Sequence, residues 1–295
     1  MSGIESQYLE LVEKILKEGQ KIDDDRTGVG TYSLFRPMEL RHDMRKGFPL
    51  FTTRKMFFRG IVEEMIWFMN GCTDSKVLAA KGVKIWEANS TRAELDKRGL
   101  TGYKEGDIGP TYGFNFRSYG ATYLGCQYDY EGLGFDQVAQ VVRTLREFPS
   151  GRRHVIDLWD PNVMGKVTLP PCAMYYQFYV RDGRYLDCHH MIRSSDVVLG
   201  LPWNIASAAL LLTLIGGEVG LEPGILTVGL GDAHIYQNHL DGIRGFIDRA
   251  PKKLPRLKVV KKDGKPGRVL RDLDSSQFTL EGYECWPSVL FDMAV

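Results

Sequence analysis

The sequence predicts an α+β fold, a single domain in which a mixed β-sheet is backed by helices. Three observations carry that expectation. Residues 172–193 form two extended runs around Asp182-Gly183, the two-residue signal of a tight hairpin. Residues 203–219 are apolar on every side, as a central buried helix must be. Amphipathic helical stretches near 8–16, 60–71 and 136–148 alternate with further extended segments, and no repeat or low-complexity tract interrupts them. At 295 residues the chain is long enough for one large core, and its 43% apolar and 25% charged content is that of a globular protein. The formal net charge of +1 gives no reason to expect a nucleic acid or a membrane surface as partner. No apolar run reaches about 18 residues, and the N-terminus lacks a signal-peptide pattern. The five cysteines, odd in number and without metal-type spacing, fit a reducing, cytoplasmic compartment.

In chain order, Tyr8, Leu9, Val12, Ile15 and Leu16 recur at helical spacing and Gly19 supplies a stop. Residues 23–33 are polar and Gly-punctuated, a turn before the strand TYSLF. Gly60–Gly71 reads as a short apolar helix. Ile61, Glu64, Met65 and Phe68 share its buried face, while Glu63 falls with Arg59 and Asn70 on the solvated side. A carboxyl in an apolar stripe titrates closer to neutrality and can move protons there, so Glu64 is a candidate. Residues 81–135 are the least periodic, an insertion-like region with one short helix at 92–97. A helix over 136–148 presents Val138, Val141, Val142 and Leu145, and a strand begins at Arg152-Arg153. In the hairpin, residues whose numbers sum to 365 face each other, which sets Arg193 opposite Cys172, where a guanidinium favours the thiolate. A cysteine on a core strand is otherwise usually inert. Asn204 opens the long apolar helix, a position that also suits a helix cap. His234 and Tyr236 share one face of an extended segment. Alternation along 187–190 sends neighbours to opposite faces, so Asp187, Cys188, His189 and His190 make no metal site, and none is expected elsewhere. The basic stretch 251–272 reads as a solvated hairpin.

LPPC, QFYV, RSSD, LGLPWNIAS and GDAHIYQNH together resemble the thymidylate synthase family, and the likeness runs from DRTGVGTYS to the terminal MAV. The resemblance implies one-carbon transfer from 5,10-methylenetetrahydrofolate to C5 of dUMP by a homodimer associating through its sheet. On the same basis Cys172 is the nucleophile, and Glu64 organises proton transfer with Tyr112, Asn204 and Arg193 beside it. Arg26, Arg193 and Ser194 hold the phosphate, joined by Arg152 and Arg153 reaching across the dimer. Asn204 reads uracil, since its amide donates to O4 and accepts from N3–H. His234 and Tyr236 contact the ribose. Trp86, Asn89, Asp196, Leu199, Trp203, Met293 and Val295 line the folate site. The chain departs from the family pattern where Ala173 replaces histidine, Ile192 glutamine, Trp203 phenylalanine and Phe116 tryptophan. Hydride transfer to the exocyclic methylene gives dTMP; water at the same carbon gives 5-hydroxymethyl-dUMP. Trp86 and the tail Met293-Ala294-Val295 favour the methyl product, because a closing C-terminus excludes water. A cysteine hydrolase and an inactive, interaction-only homologue are the readings from other classes.

Overall fold

The computed structural model describes residues 3–23, 27–260 and 269–293. Arg26 and Val295 therefore lie outside the described residues. Helix α1 (Ile4–Glu18) buries Ile4, Tyr8, Leu11, Val12 and Ile15, and Gly19 closes it by donating its N–H to the Ile15 carbonyl at 2.8 Å. Strands β1 (Gln20–Ile22), β2 (Thr31–Phe35) and β3 (Leu40–Asp43) follow, then helices α2 (Phe58–Met69), α3 (Ser75–Ala80) and α4 (Arg92–Lys97). Next come α5 (Tyr112–Ser118), α6 (Gln137–Glu147), β4 (Val155–Asp157), β5 (Ala173–Arg181) and β6 (Tyr185–Asp196). The chain finishes with α7 (Gly200–Val219), β7 (Glu222–Tyr236), α8 (Leu240–Ile243), β8 (Arg256–Val259) and β9 (Phe278–Glu281).

Seven strands make one sheet in the order β1-β2-β7-β6-β5-β4, with β3 also paired to the first half of β7. Every pairing is antiparallel except β6 with β7, so the sheet is mixed, as expected. A parallel pair needs a crossover, and α7 supplies it. Its Leu210, Leu211, Leu212 and Ile215 are fully buried against the face formed by Tyr176, Phe178, Leu186, Cys188, Ile192, Leu226 and Val228. This helix is long and apolar enough to cross a membrane, but 72% of its most apolar 18 residues are buried inside the protein, where it is the central core helix.

Six details differ from the sequence expectation. The hairpin encloses three residues, with Arg181 opposite Tyr185, so partners sum to one more than expected along most of its length. A bulge between Ala173 and Tyr175 then takes up one residue and sets Ala173 opposite Ile192. Arg193 accordingly donates its N–H to the Cys172 carbonyl at 2.9 Å, the expected neighbour reached by a different path. The strand after Arg152-Arg153 starts only at Val155, leaving both arginines on an exposed loop. Helix α7 starts at Gly200, so Asn204 lies in its second turn and caps nothing. Residues 81–135 hold a second helix, α5, and are knit by buried Asp107, whose oxygens accept from Tyr123, Gly109 and Cys126. The partner of β8 is β9, beyond the basic stretch. Glu63 is also buried, 7% exposed, because the segment Ser275–Gln277 packs on α2 from far along the chain.

Candidate active site

Cys172 sits half-buried immediately before β5, after two prolines that cannot donate to the sheet. Its backbone N–H donates to the Tyr112 hydroxyl oxygen at 2.9 Å. The phenol thus accepts at its oxygen and keeps its own proton, and burial pushes it well above the ordinary tyrosine range. Tyr112 opens α5 with φ 24°, a left-handed value rarely adopted by a large side chain and typical of functional sites. Its ring stacks on Phe68 at 5.1 Å and meets Trp86 edge-on at 5.5 Å.

Arg193 does not lie flat across the ladder. Its Nε donates to the Pro171 carbonyl at 2.8 Å and one terminal nitrogen to the Pro170 carbonyl at 3.0 Å, with the guanidinium over the Trp159 ring at 5.0 Å. The cation is thereby fixed against the two residues that precede Cys172. Among the remaining thiols, burial raises Cys72, pushes Cys126 up to about 12, and takes Cys188 above that. These three are protonated at neutral pH and poor nucleophiles.

Glu64 lies on the apolar face of α2, as its helical spacing predicts, and is 6% exposed. Trp86 Nε1–H donates to one carboxylate oxygen at 2.8 Å, and Trp203 Nε1–H donates to the other at 2.6 Å. Burial raises the carboxyl to about 6 against the opposing pull of the two indoles, so it changes protonation near neutrality. Trp86 itself is 8% exposed, with its polar edge committed to Glu64. Asn89 is buried nearby on the same loop.

The first turns of α7 leave Leu199, Gly200, Trp203 and Asn204 half-exposed while their neighbours Leu201, Pro202 and Ile205 are buried. Asp196, at the end of β6, accepts the Val198 and Leu199 N–H groups with one oxygen, at 2.9 and 3.1 Å, and so holds the entry to α7. Ser194 pairs with Asp232 across β6 and β7. His234 Nδ1 lies 2.7 Å from Asp232 Oδ1, and its ring meets Tyr236 edge-on at 5.2 Å. Burial would raise the Asp232 carboxyl, but hydrogen bonds from His234 and Ser33 overcome it and leave it below its ordinary value. Asp232 is a site residue not expected from the sequence, although it stands two residues before His234 on the same strand face. The Trp203 and Trp159 contacts had no local signal. Along 187–190 the side chains alternate: Cys188 and His190 enter the core, while Asp187 pairs with Arg181 at 2.8 Å on the opposite face.

The tail returns to this region. His239 Nε2–H donates to the Asp292 carbonyl at 2.8 Å, and Phe291 packs edge-on to His239 and Phe246. Gly242 makes that docking possible, since a Cβ there would stand 2.3 Å from the Phe291 ring. Met293 remains 44% exposed.

A mixed sheet carrying a prepared cysteine, beside a buried carboxyl that titrates near neutrality, defines an α+β enzyme rather than a binding module. The family model described as thymidylate synthase matches residues 6–295. A thymidylate synthase of Agaricus bisporus is 43% identical, with 99% of each chain covered. One from Herpesvirus ateles is 45% identical over 99% of this chain and 98% of its own. The Homo sapiens thymidylate synthase is 42% identical over 99% of this chain and 91% of its own. The chain belongs to the thymidylate synthase family.

Proposed function

We propose that this enzyme carries out the reductive methylation of dUMP at C5, giving dTMP, with Cys172 as nucleophile. The observation that carries the reading is the full-length family match coinciding with the one prepared cysteine, its backbone held by Tyr112 and its flank by Arg193. Uracil C5 is a poor nucleophile. Addition of the Cys172 sulfur at C6 places the electron pair on C5 and O4, and C5 then attacks an electrophilic carbon. Hydrogen bonds at O4 from Asn204 and from water ordered by Glu64 stabilise that charge as it develops. Loss of the C5 proton follows, with Tyr112 and Glu64 as the nearby proton-handling groups. Expulsion of the Cys172 thiolate from C6 completes the turnover.

When bound, 5,10-methylenetetrahydrofolate supplies the one-carbon unit and the hydride, leaving as dihydrofolate. The residues present fit a reduced folate. Trp203 and Leu199 offer an apolar, half-exposed wall at the start of α7. The second oxygen of Asp196 accepts no hydrogen bond among the described residues, leaving it available to an N–H of a heteroaromatic ring. Asn89, Trp86 and Met293 stand on that side, and the family resemblance adds Val295. The phosphate is held by Arg26, Arg193 and Ser194 with the partner subunit's Arg152 and the partner subunit's Arg153. His234, fixed by Asp232, and Tyr236 bind the ribose.

The homodimer has support in the sheet face turned away from α7. Tyr175, Gln177 and Tyr179 of β5 and His189 and Met191 of β6 lie there half-buried or exposed, Tyr179 at 59% and Val155 of β4 at 38%. No described helix packs on this face, where tyrosines, Met191 and Val155 mix with Gln177 and His189, and a sheet face left open in this way can associate with a second copy. Scattered unpaired cysteines suit a reducing, cytoplasmic setting.

Mass spectrometry of the nucleotide product tests the reading. The expected products are dTMP and dihydrofolate. Predominant 5-hydroxymethyl-dUMP with tetrahydrofolate would overturn the methyl assignment.

A further inference from the structure

Glu64 is gripped by two indoles, and the second grip belongs to the residue that departs from the family pattern. Trp203 comes from the first turn of α7, 139 residues from Glu64 in sequence, and its N–H has no other acceptor among the described residues. Room for the ring is provided on α2 itself. Gly60 lies one turn before Glu64 on the same helix face, and a Cβ there would stand 2.8 Å from Trp203 Cη2 and 2.6 Å from the Phe57 ring. The absent side chain lets the indole lie against the helix so that its N–H meets the carboxylate one turn on. A phenyl ring would occupy similar space with no donor.

We propose that Trp203 is a positioning residue for the reaction: with Trp86 it fixes the plane of the Glu64 carboxylate and holds it as a proton acceptor. This rests on the reading that Glu64 handles protons at the pyrimidine. One N–H on each oxygen leaves one further lone pair on each, so whatever Glu64 orders next must itself donate. A protonated carboxyl would have to give up one of these indole bonds or turn its hydroxyl to the other side. The clamp therefore selects the ionised form and the orientation together. Around Glu64, α5 contributes Tyr112, which also meets Cys172, and β5 contributes Tyr176, while His190 of β6 stacks on Tyr176 at 4.2 Å. Both phenols are held above the ordinary tyrosine range by burial, and His190 is pushed down to about 4. On α2, Glu63 lies on the opposite face and Arg59 bonds the Lys81 carbonyl. Among the flanking phenols and imidazole, none competes with Glu64 in the window from pH 5 to 8.

The test is the pH profile of kcat at saturating dUMP and folate for wild type, Trp203→Phe, Trp203→Gln and Glu64→Gln. Removing a donor that favours the carboxylate raises the Glu64 titration. In Trp203→Phe the acid limb is expected to move up by about one pH unit, the size of one hydrogen bond to a charged group. Trp203→Gln, which keeps an N–H but loses the ring, is expected to bring the limb back toward wild type while still raising the folate KM. An unmoved acid limb in Trp203→Phe, with only the folate KM raised, would reduce Trp203 to a stacking surface and overturn the proposal. A Glu64→Gln variant with wild-type kcat and profile would instead overturn the underlying role of Glu64. If Trp203→Phe fails to fold, Trp203→Leu replaces it as the donor-less variant: a raised acid limb supports the clamp and a limb unmoved from wild type overturns it.

Discussion

Replacing Glu64 by glutamine removes the titrating proton while keeping size and helix geometry. Burial raises this carboxyl from 4.5 to about 6. With ionised Glu64 required, wild-type kcat is expected to be about one tenth of its plateau at pH 5 and half at pH 6. In Glu64→Gln that limb should vanish, and kcat at pH 7.5 should fall by about a hundredfold or more, the usual range for losing a general base. The KM for dUMP should change only a few-fold, because the proposed phosphate and ribose contacts come from other residues. The same shift enters stability with a definite sign. The folded state holds its proton more tightly than the unfolded one, so this contribution is present below pH 4.5 and lost as pH rises through 6. Its size is about 2 kcal/mol. The difference between wild-type and variant denaturation curves at pH 4 and pH 7.5 isolates it from the opposing carboxylates Asp43 and Asp232. A Glu64→Gln enzyme that keeps the acid limb, or a wild type flat from pH 5 to 8, would refute the assignment.

Three further outcomes are expected. Asn204→Asp should weaken dUMP turnover and raise acceptance of dCMP, because a protonated aspartyl group can serve N3 and accept from the exocyclic amine; competition assays with both nucleotides measure the switch. Gly242→Val should displace Phe291 and undock the tail; faster carboxypeptidase trimming and a raised folate KM would register it, and unchanged trimming would contradict the docking argument. Mixing Cys172→Ala protomers with Arg152→Ala/Arg153→Ala protomers should recover activity that neither parent has if, as proposed, each site takes residues from both chains; absence of recovery would speak against donation across the dimer.

What the sequence disclosed follows the range of the forces involved. Helix α4 is legible near Arg92 to Lys97 because its determinants are local: Thr91 caps it, accepting from the Glu94 N–H, and its own turns end it. Glu64 was found by helical period alone. Helical period sets Glu63 on the solvated side, whereas the segment that covers it arrives from around residue 275, and periodicity carries no record of such a neighbour. The hairpin was recognised from Asp182-Gly183, yet its register was off by one until the bulge at Met174 restored it near the site. Bulges depend on what the strand packs against, so the expected Cys172–Arg193 adjacency was reached only because two one-residue errors cancelled. Asp232 was legible in principle, at strand spacing from His234. The pairing of Trp203 with Glu64 was not, since it depends on α7 crossing α2 at Gly60.

The central claim is that Cys172 bonds covalently to the pyrimidine during turnover. Incubation with 5-fluoro-dUMP and 5,10-methylenetetrahydrofolate removes the step that needs a C5 proton, because fluorine cannot leave as one. Intact-protein mass spectrometry should then show a gain equal to nucleotide plus folate. Peptide mapping should locate it at Cys172, and Cys172→Ala should show none. An unmodified protein, or an adduct on Cys72, Cys126, Cys188 or Cys285, would contradict the account.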